Sequence, residues 1–132
     1  MQYTEKMLAL RNELRTLGHE AFITDLHTNF IGKDEIEQER IKIHQKNNCD
    51  AIREFWRAMQ GADAILVANY DKHGVKHYIG GNTFLELGFA HVLHQDIYLL
   101  HPIPQMIYTS EIEAMKPIII NGDLHAIPLT RR

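Results

Sequence analysis

Cysteine is nearly absent. Cys49 alone stands in 132 residues, which excludes an internal disulfide and fits a reducing compartment. A lone cysteine is ordinarily a small buried hydrophobe, and Cys49 is expected to be one rather than a nucleophile. No apolar run approaches the roughly 20 residues that cross a bilayer. The opening MQYTEKMLALRNEL carries a charge every few residues, unlike a secretory leader. The expected location is the cytoplasm, with no membrane partner. No basic patch stands out and the formal charge is -3, which argues against a nucleic-acid polymer as partner while leaving small anionic ligands open. Repeats, low-complexity tracts and linkers are also lacking. What is present, 45% hydrophobic and 23% charged residues, suits a single globular domain over 1–132 with an ordinary core.

The apolar spacing of Tyr3, Met7, Leu10, Leu14 and Leu17 predicts a helix that stops at Gly18. His19 to Thr24, HEAFIT, then reads as a short strand. Residues 33–59 read as one long helix or two broken near Asn47-Asn48. The charged first half, with only Ile36, Ile41 and Ile43 apolar, is a solvated arm or partner-facing helix. In the second half Ile52, Phe55, Trp56 and Met59 form a stripe expected to pack on the sheet, with Asn48 or Asp50 as caps.

Ala62 to Ala68 is apolar except for Asp63, the pattern of a strand covered on both faces. Asn82 or Thr83 is expected to cap a helix running to about His94. DIYLL, Asp96 to Leu100, is the next buried strand, stopped by the prolines Pro102 and Pro104. SEIEAM from Ser110 is a short helix with Glu113 at the capping-box position, and Pro117 to Ile120 is a last strand closed by Asn121-Gly122-Asp123. Strands alternating with helices predict an α/β fold. The expected form is a Rossmann-like (flavodoxin-like), doubly wound parallel sheet of four strands with helices on both faces.

Ligands of open α/β sheets sit outside the carboxyl ends of the strands, which directs attention to Asn69-Tyr70-Asp71 and the loop up to Asn82. Gly80 and Gly81 allow close approach of backbone to ligand, and the N–H groups of the following helix attract anions. Glu86 lies one turn in. An acid between Leu85 and Leu87 is not easily a solvated one, although glycines followed by an acid also arise as a plain turn and a helix-favouring charge. Such a carboxylate can attack an anomeric carbon. Among the nine histidines, His73 and His77 lie four apart and His91 and His94 three apart, but no carboxylate completes a ligand set. No metal is expected. His77, His101 and Lys76 are expected as solvated side chains, with contact to a base or phosphate as the rival role.

GGNTFLELGFAHVL resembles the catalytic-helix motif of the nucleoside 2-deoxyribosyltransferase family, in which an acid in an E-L-G-[FY]-A setting is the nucleophile. The resemblance extends through ADAILVANYD, DIYLLHPIP and EIEAMKPIIINGDL, about the last half of the chain, and more loosely to LRTLGHE. It implies cleavage or transfer at the N-glycosidic bond of a 2-deoxyribonucleoside or its 5′-monophosphate, without a cofactor. Glu86 would be the nucleophile and Asn69, Tyr78, Gly80, Gly81, Asn82 and Thr83 would line the substrate site. A homodimer or higher homo-oligomer is implied as well. Two features depart from the family pattern: the strand and Gly/Ser loop that open the family fold have no counterpart before Tyr3, and the family's helical aspartate has no clean match near Asp50 or Glu54. Asp71 is the substitute candidate for acid/base work, its alternative being a turn residue. The rival functions are a catalytically silent nucleotide-binding module and a structural subunit assembled through the charged helix from Asp34 to Lys46.

Overall fold

A computed structural model describes residues 2–23, 34–48 and 50–129. Cys49 and Thr24 therefore lie outside the described residues. Tertiary contacts divide the chain into two compact units, Met1–Ala58 and Met59–Arg132.

In the first unit, helix α1 spans Gln2–Thr16. It ends as the glycine signal demands. Gly18 adopts φ 103, its N–H bonds Arg15 O at 3.1 Å, and His19 N–H reaches back to Leu14 O at 3.0 Å. This paired arrangement satisfies the last carbonyls of the helix. Met7, Leu10, Leu14 and Leu17 are half-buried. The strand expected from His19 does not form over residues 19–23, which are irregular. Only three apolar residues follow one another there. Arg15 Nε donates to Ala21 O at 2.7 Å, taking an acceptor that a ladder would use, and Phe22 is 58% exposed.

Helix α2 spans Glu35–Asn48 and helix α3 Ala51–Met59, so the 33–59 region is two helices. Asp34 caps α2, its Oδ1 accepting from Glu37 N–H at 2.8 Å. Asp50 sits at φ 48 in the break and its Oδ1 accepts from Arg53 N–H at 3.3 Å. Asn48 is the last residue of α2 and not a cap of α3. The acids on α3 are engaged locally: Asp50 pairs with Arg53 at 2.7 Å, and Glu54 with Arg57. The apolar stripe does not pack as a whole. Met59 joins the core, whereas Ile52 is 50% exposed and Trp56 is exposed too.

The second unit is built on a parallel sheet. Strands β1 (Ala64–Val67), β2 (Asp96–Leu99) and β3 (Ile118–Ile119) stand in the order β1-β2-β3. Ala64 pairs with Asp96 and Val67 with Leu99, and Tyr98 pairs with Ile118. Helices α4 (Gly81–Val92) and α5 (Thr109–Ala114) form the two crossovers. Right-handed crossovers that advance in one direction place their helices on one face. The core follows that rule. Val67, Ile97 and Leu99 cluster with Leu87 and Ala90 of α4 and Ile112 of α5. Alternation sends Tyr98 to the opposite face, where it is also buried. The apolar run of β2 is thus explained by burial on both sides. The expected α/β class and parallel sheet are present, with three strands among the described residues rather than four.

Two end signals differ from their sequence expectations. The N-cap of α4 is Gly80, with no side-chain cap, and Asn82 and Thr83 fall inside the first turn. The N-cap of α5 is Tyr108, also without a side-chain cap. Because α5 starts one residue early, Ser110 and Glu113 lose their capping-box positions. Thr109 instead ties the preceding loop together, accepting from Met106 N–H at 2.7 Å and donating to Pro104 O at 2.7 Å.

Candidate functional site

The loop that leaves β1 is a small hairpin rather than an open coil. Lys72 and Val75 exchange backbone bonds of 3.1 and 2.9 Å, while His73 and Gly74 between them have φ 53 and 73. Two successive positive φ values suit a tight two-residue turn, and Gly74 adopts its value without strain. Tyr78 N–H then bonds Tyr70 O at 3.1 Å, closing the base of the hairpin. Asp71 Oδ1 accepts from His77 N–H at 2.9 Å. That bond orders the exposed hairpin around Asp71.

Asn69 is almost completely buried, at 1% exposure. Its amide Nδ2 donates to His101 O at 2.9 Å and to Pro102 O at 3.1 Å, and its Oδ1 accepts from His101 N–H at 2.9 Å. Both amide protons are committed. Asn69 therefore clamps the loop after β1 to the loop after β2.

The chain next passes through Ile79, buried at the core. Tyr108 donates its phenolic hydrogen to Ile79 O, and its ring stacks on Phe84 at 4.4 Å between centroids. Burial raises the Tyr108 hydroxyl above the usual tyrosine range, and the nearby Tyr78 adds to the rise. Tyr78 itself lies against Gly80. A Cβ at Gly80 would stand 3.2 Å from the Tyr78 ring, so the glycine makes room for the phenol. Gly81 has no such neighbour and is exposed.

The start of α4 is chemically open. Helix geometry leaves the N–H groups of Gly81, Asn82 and Thr83 without intrahelical partners. No side chain caps them and no acidic residue occupies the first turn. The side chains of Asn82 and Thr83 form no hydrogen bond among the described residues.

Glu86 follows in the second turn, next to Leu87, which is 1% exposed. Its own side chain is half-buried. Among the described residues its carboxylate has neither a hydrogen-bond donor nor a cation beside it. Burial pushes the Glu86 carboxyl up to about 7, because the charged form loses hydration and gains no partner. Of the two acids singled out in the sequence, Asp71 bonds the hairpin backbone and Glu86 has no partner among the described residues.

Tyr108 carried no signal in the sequence, Tyr70 was marked only by its place in the loop after β1, and His101 was expected to be solvated, with contact to a base or phosphate as the rival role. Tyr70 meets the His101 ring edge-on at 5.8 Å, and His77 stacks on His101 at 5.4 Å. The available signal was positional: His101 and His77 both follow strands whose carboxyl ends face the same way. Among the described residues no group of three His, Cys, Asp or Glu side chains forms a metal site, and no helix is long and apolar enough to cross a membrane.

Comparison of the chain with known protein families, with curated proteins and with solved structures found no match.

Proposed function

We propose that this protein cleaves or transfers the N-glycosidic bond of a 2-deoxyribonucleoside or its 5′-monophosphate, with Glu86 as nucleophile. The observation that carries the reading is the unpaired, half-buried Glu86 carboxylate, raised to about 7. Stripping solvent from a carboxylate sharpens it as a nucleophile. In the reaction its oxygen attacks the anomeric carbon, the C–N bond breaks, and the base leaves with the bonding pair and takes up a proton. Water or a second base then attacks the same carbon and returns the carboxylate. The free N–H groups of Gly81, Asn82 and Thr83, with the Asn82 and Thr83 side chains, supply donors to the sugar oxygens. Tyr78 lines the approach across Gly80, whose missing side chain leaves it room.

The resemblance of GGNTFLELGFA to the deoxyribosyltransferase catalytic helix supports the same reading. It brings with it a doubly wound, Rossmann-like sheet, a homo-oligomer and a cytoplasmic setting. No metal or cofactor enters the chemistry.

The test is release of free base from a panel of deoxyribonucleosides and their 5′-monophosphates, followed by chromatography. Glu86→Gln is expected to lower the rate by about 10³-fold or more, a barrier increase on the order of 4 kcal/mol. The rate should rise with pH up to about 7, where the carboxyl loses its proton. Equal release by wild type and variant would remove Glu86 from the mechanism.

A further inference from the structure

His77 and His101 come from different loops, 24 residues apart in sequence, yet their rings stack at 5.4 Å with planes 26° apart. Each ring is placed by its own backbone device. His101 is gripped on both sides of its peptide by the buried Asn69 amide. His77 is held at φ 58, a left-handed conformation that is unfavourable for a residue with a side chain, and its N–H is fixed by Asp71. Tyr70 closes one flank of His101.

The ring nitrogens are left unused. Neither imidazole has a hydrogen-bond or ion-pair partner among the described residues, and both residues are half-buried rather than fully solvated. A strained backbone, a buried clamp and two idle imidazoles at the carboxyl ends of adjacent parallel strands are the makings of a ligand subsite.

The geometry selects the ligand class. Imidazole N–H bonds lie in the ring plane, so two nearly parallel rings send their donors along separate planes instead of converging on one ion. That disfavours a metal. It suits an anion that offers several oxygens to different donors. A phosphate monoester has three such oxygens and a charge of about -1.5 to -2 at neutral pH, and imidazole N–H groups donate to such oxygens.

We propose that the His77–His101 pair binds the phosphate of a nucleoside 5′-monophosphate. The inference rests on the glycosidase reading only for the nucleoside part of the ligand. Phosphate recognition stands on the histidine pair itself, and nucleotide rather than nucleoside becomes the preferred substrate.

The experiment follows the imidazole ring resonances of the full-length protein by NMR during titration with inorganic phosphate, a deoxyribonucleoside 5′-monophosphate and the matching deoxyribonucleoside. The monophosphate and inorganic phosphate should both shift the His77 and His101 signals, and the monophosphate should do so at least tenfold more tightly. The nucleoside should leave both signals in place. The double variant His77→Gln/His101→Gln should lose at least tenfold in affinity for both phosphates, while His125→Gln, on the exposed turn after β3, should keep it. Unmoved His77 and His101 signals, or undiminished affinity in the double variant, would overturn the proposal. A response to inorganic phosphate without one to the monophosphate would overturn it in its nucleotide form. Failure of the glycosidase reading looks different: phosphate shifts persist in the wild type while no base is released from any substrate.

Discussion

The two units differ in what their hydrophobic residues do. Every buried hydrophobic residue among those described lies between Met59 and Leu124, whereas in the first unit Ile36, Ile43, Ile52 and Trp56 all stand exposed. Helices in the first unit hold their shape by local means: the Gly18 stop, the Asp34 and Asp50 caps, and i,i+3 pairs between arginines and acids. Elements of the second unit hold one another. Local devices contribute about 0.3–2 kcal/mol each, and a filled core contributes more per residue. Stability is therefore expected to be sensitive to substitution on one side of residue 59 and tolerant on the other.

The contrast is sharpest at Leu99, fully buried on β2. Leu99→Ala should cost about 2–5 kcal/mol through lost burial and an unfilled cavity, measured by chemical denaturation with the pH held constant.

A slightly smaller effect is expected from Glu86, the charge that the second unit buries against its own interest. Its folded value of about 7 lies above the ordinary carboxyl value of 4.5. Between those values the folded chain keeps a proton that the unfolded chain has released, so stability falls as pH rises from about 4.5 to 7 and then levels off. The full fall is on the order of 3 kcal/mol. Glu86→Gln should flatten that part of the stability profile. An unchanged slope would mean that the carboxylate has a partner after all.

Asn69 comes next. Asn69→Leu would leave His101 N–H and the carbonyls of His101 and Pro102 without their bonds, at a cost of about 1–3 kcal/mol. The loss should be accompanied by a change in the His77 and His101 ring signals, which a plain core defect elsewhere would not produce. At the small end, Ile36→Ala and Ile43→Ala in the first unit should shift stability by less than about 0.5 kcal/mol. A loss of more than about 1 kcal/mol would break the comparison, because residues exposed at 67% and 51% would then be carrying core energy.

Most of the second unit was legible in the sequence for a physical reason. Apolar runs mark strands covered on both faces, and AILV and IYLL are such runs, the second the more fully buried. Glu86 stood out because it is flanked by two leucines, of which Leu87 is buried and Leu85 exposed. The break between α2 and α3 was marked by asparagines and an aspartate. Long-range partners were another matter. Nothing local in Asn69 announces that it will grip residues 101 and 102, or in Tyr108 that its hydroxyl will reach Ile79. Those bonds depend on the parallel register of β1 and β2, which brings the ends of the two strands side by side. The strand expected at His19 failed over residues 19–23 for the complementary reason: its apolar run is only three residues long, and among the described residues it has no neighbour to pair with.

The order β1-β2-β3 matches the order of synthesis. Among the described residues, no later strand has to open a gap between two earlier ones. As the chain leaves the ribosome, β2 finds β1 already made, and β3 completes the sheet at a waiting edge. Domains generally fold as units from the N-terminal side at about 5–20 residues made per second, so the interval between β1 and β2 is on the order of seconds. Throughout that interval the apolar run of β1 is without its partner, and α4, with its unpaired acid, is made before the second strand that helps bury it.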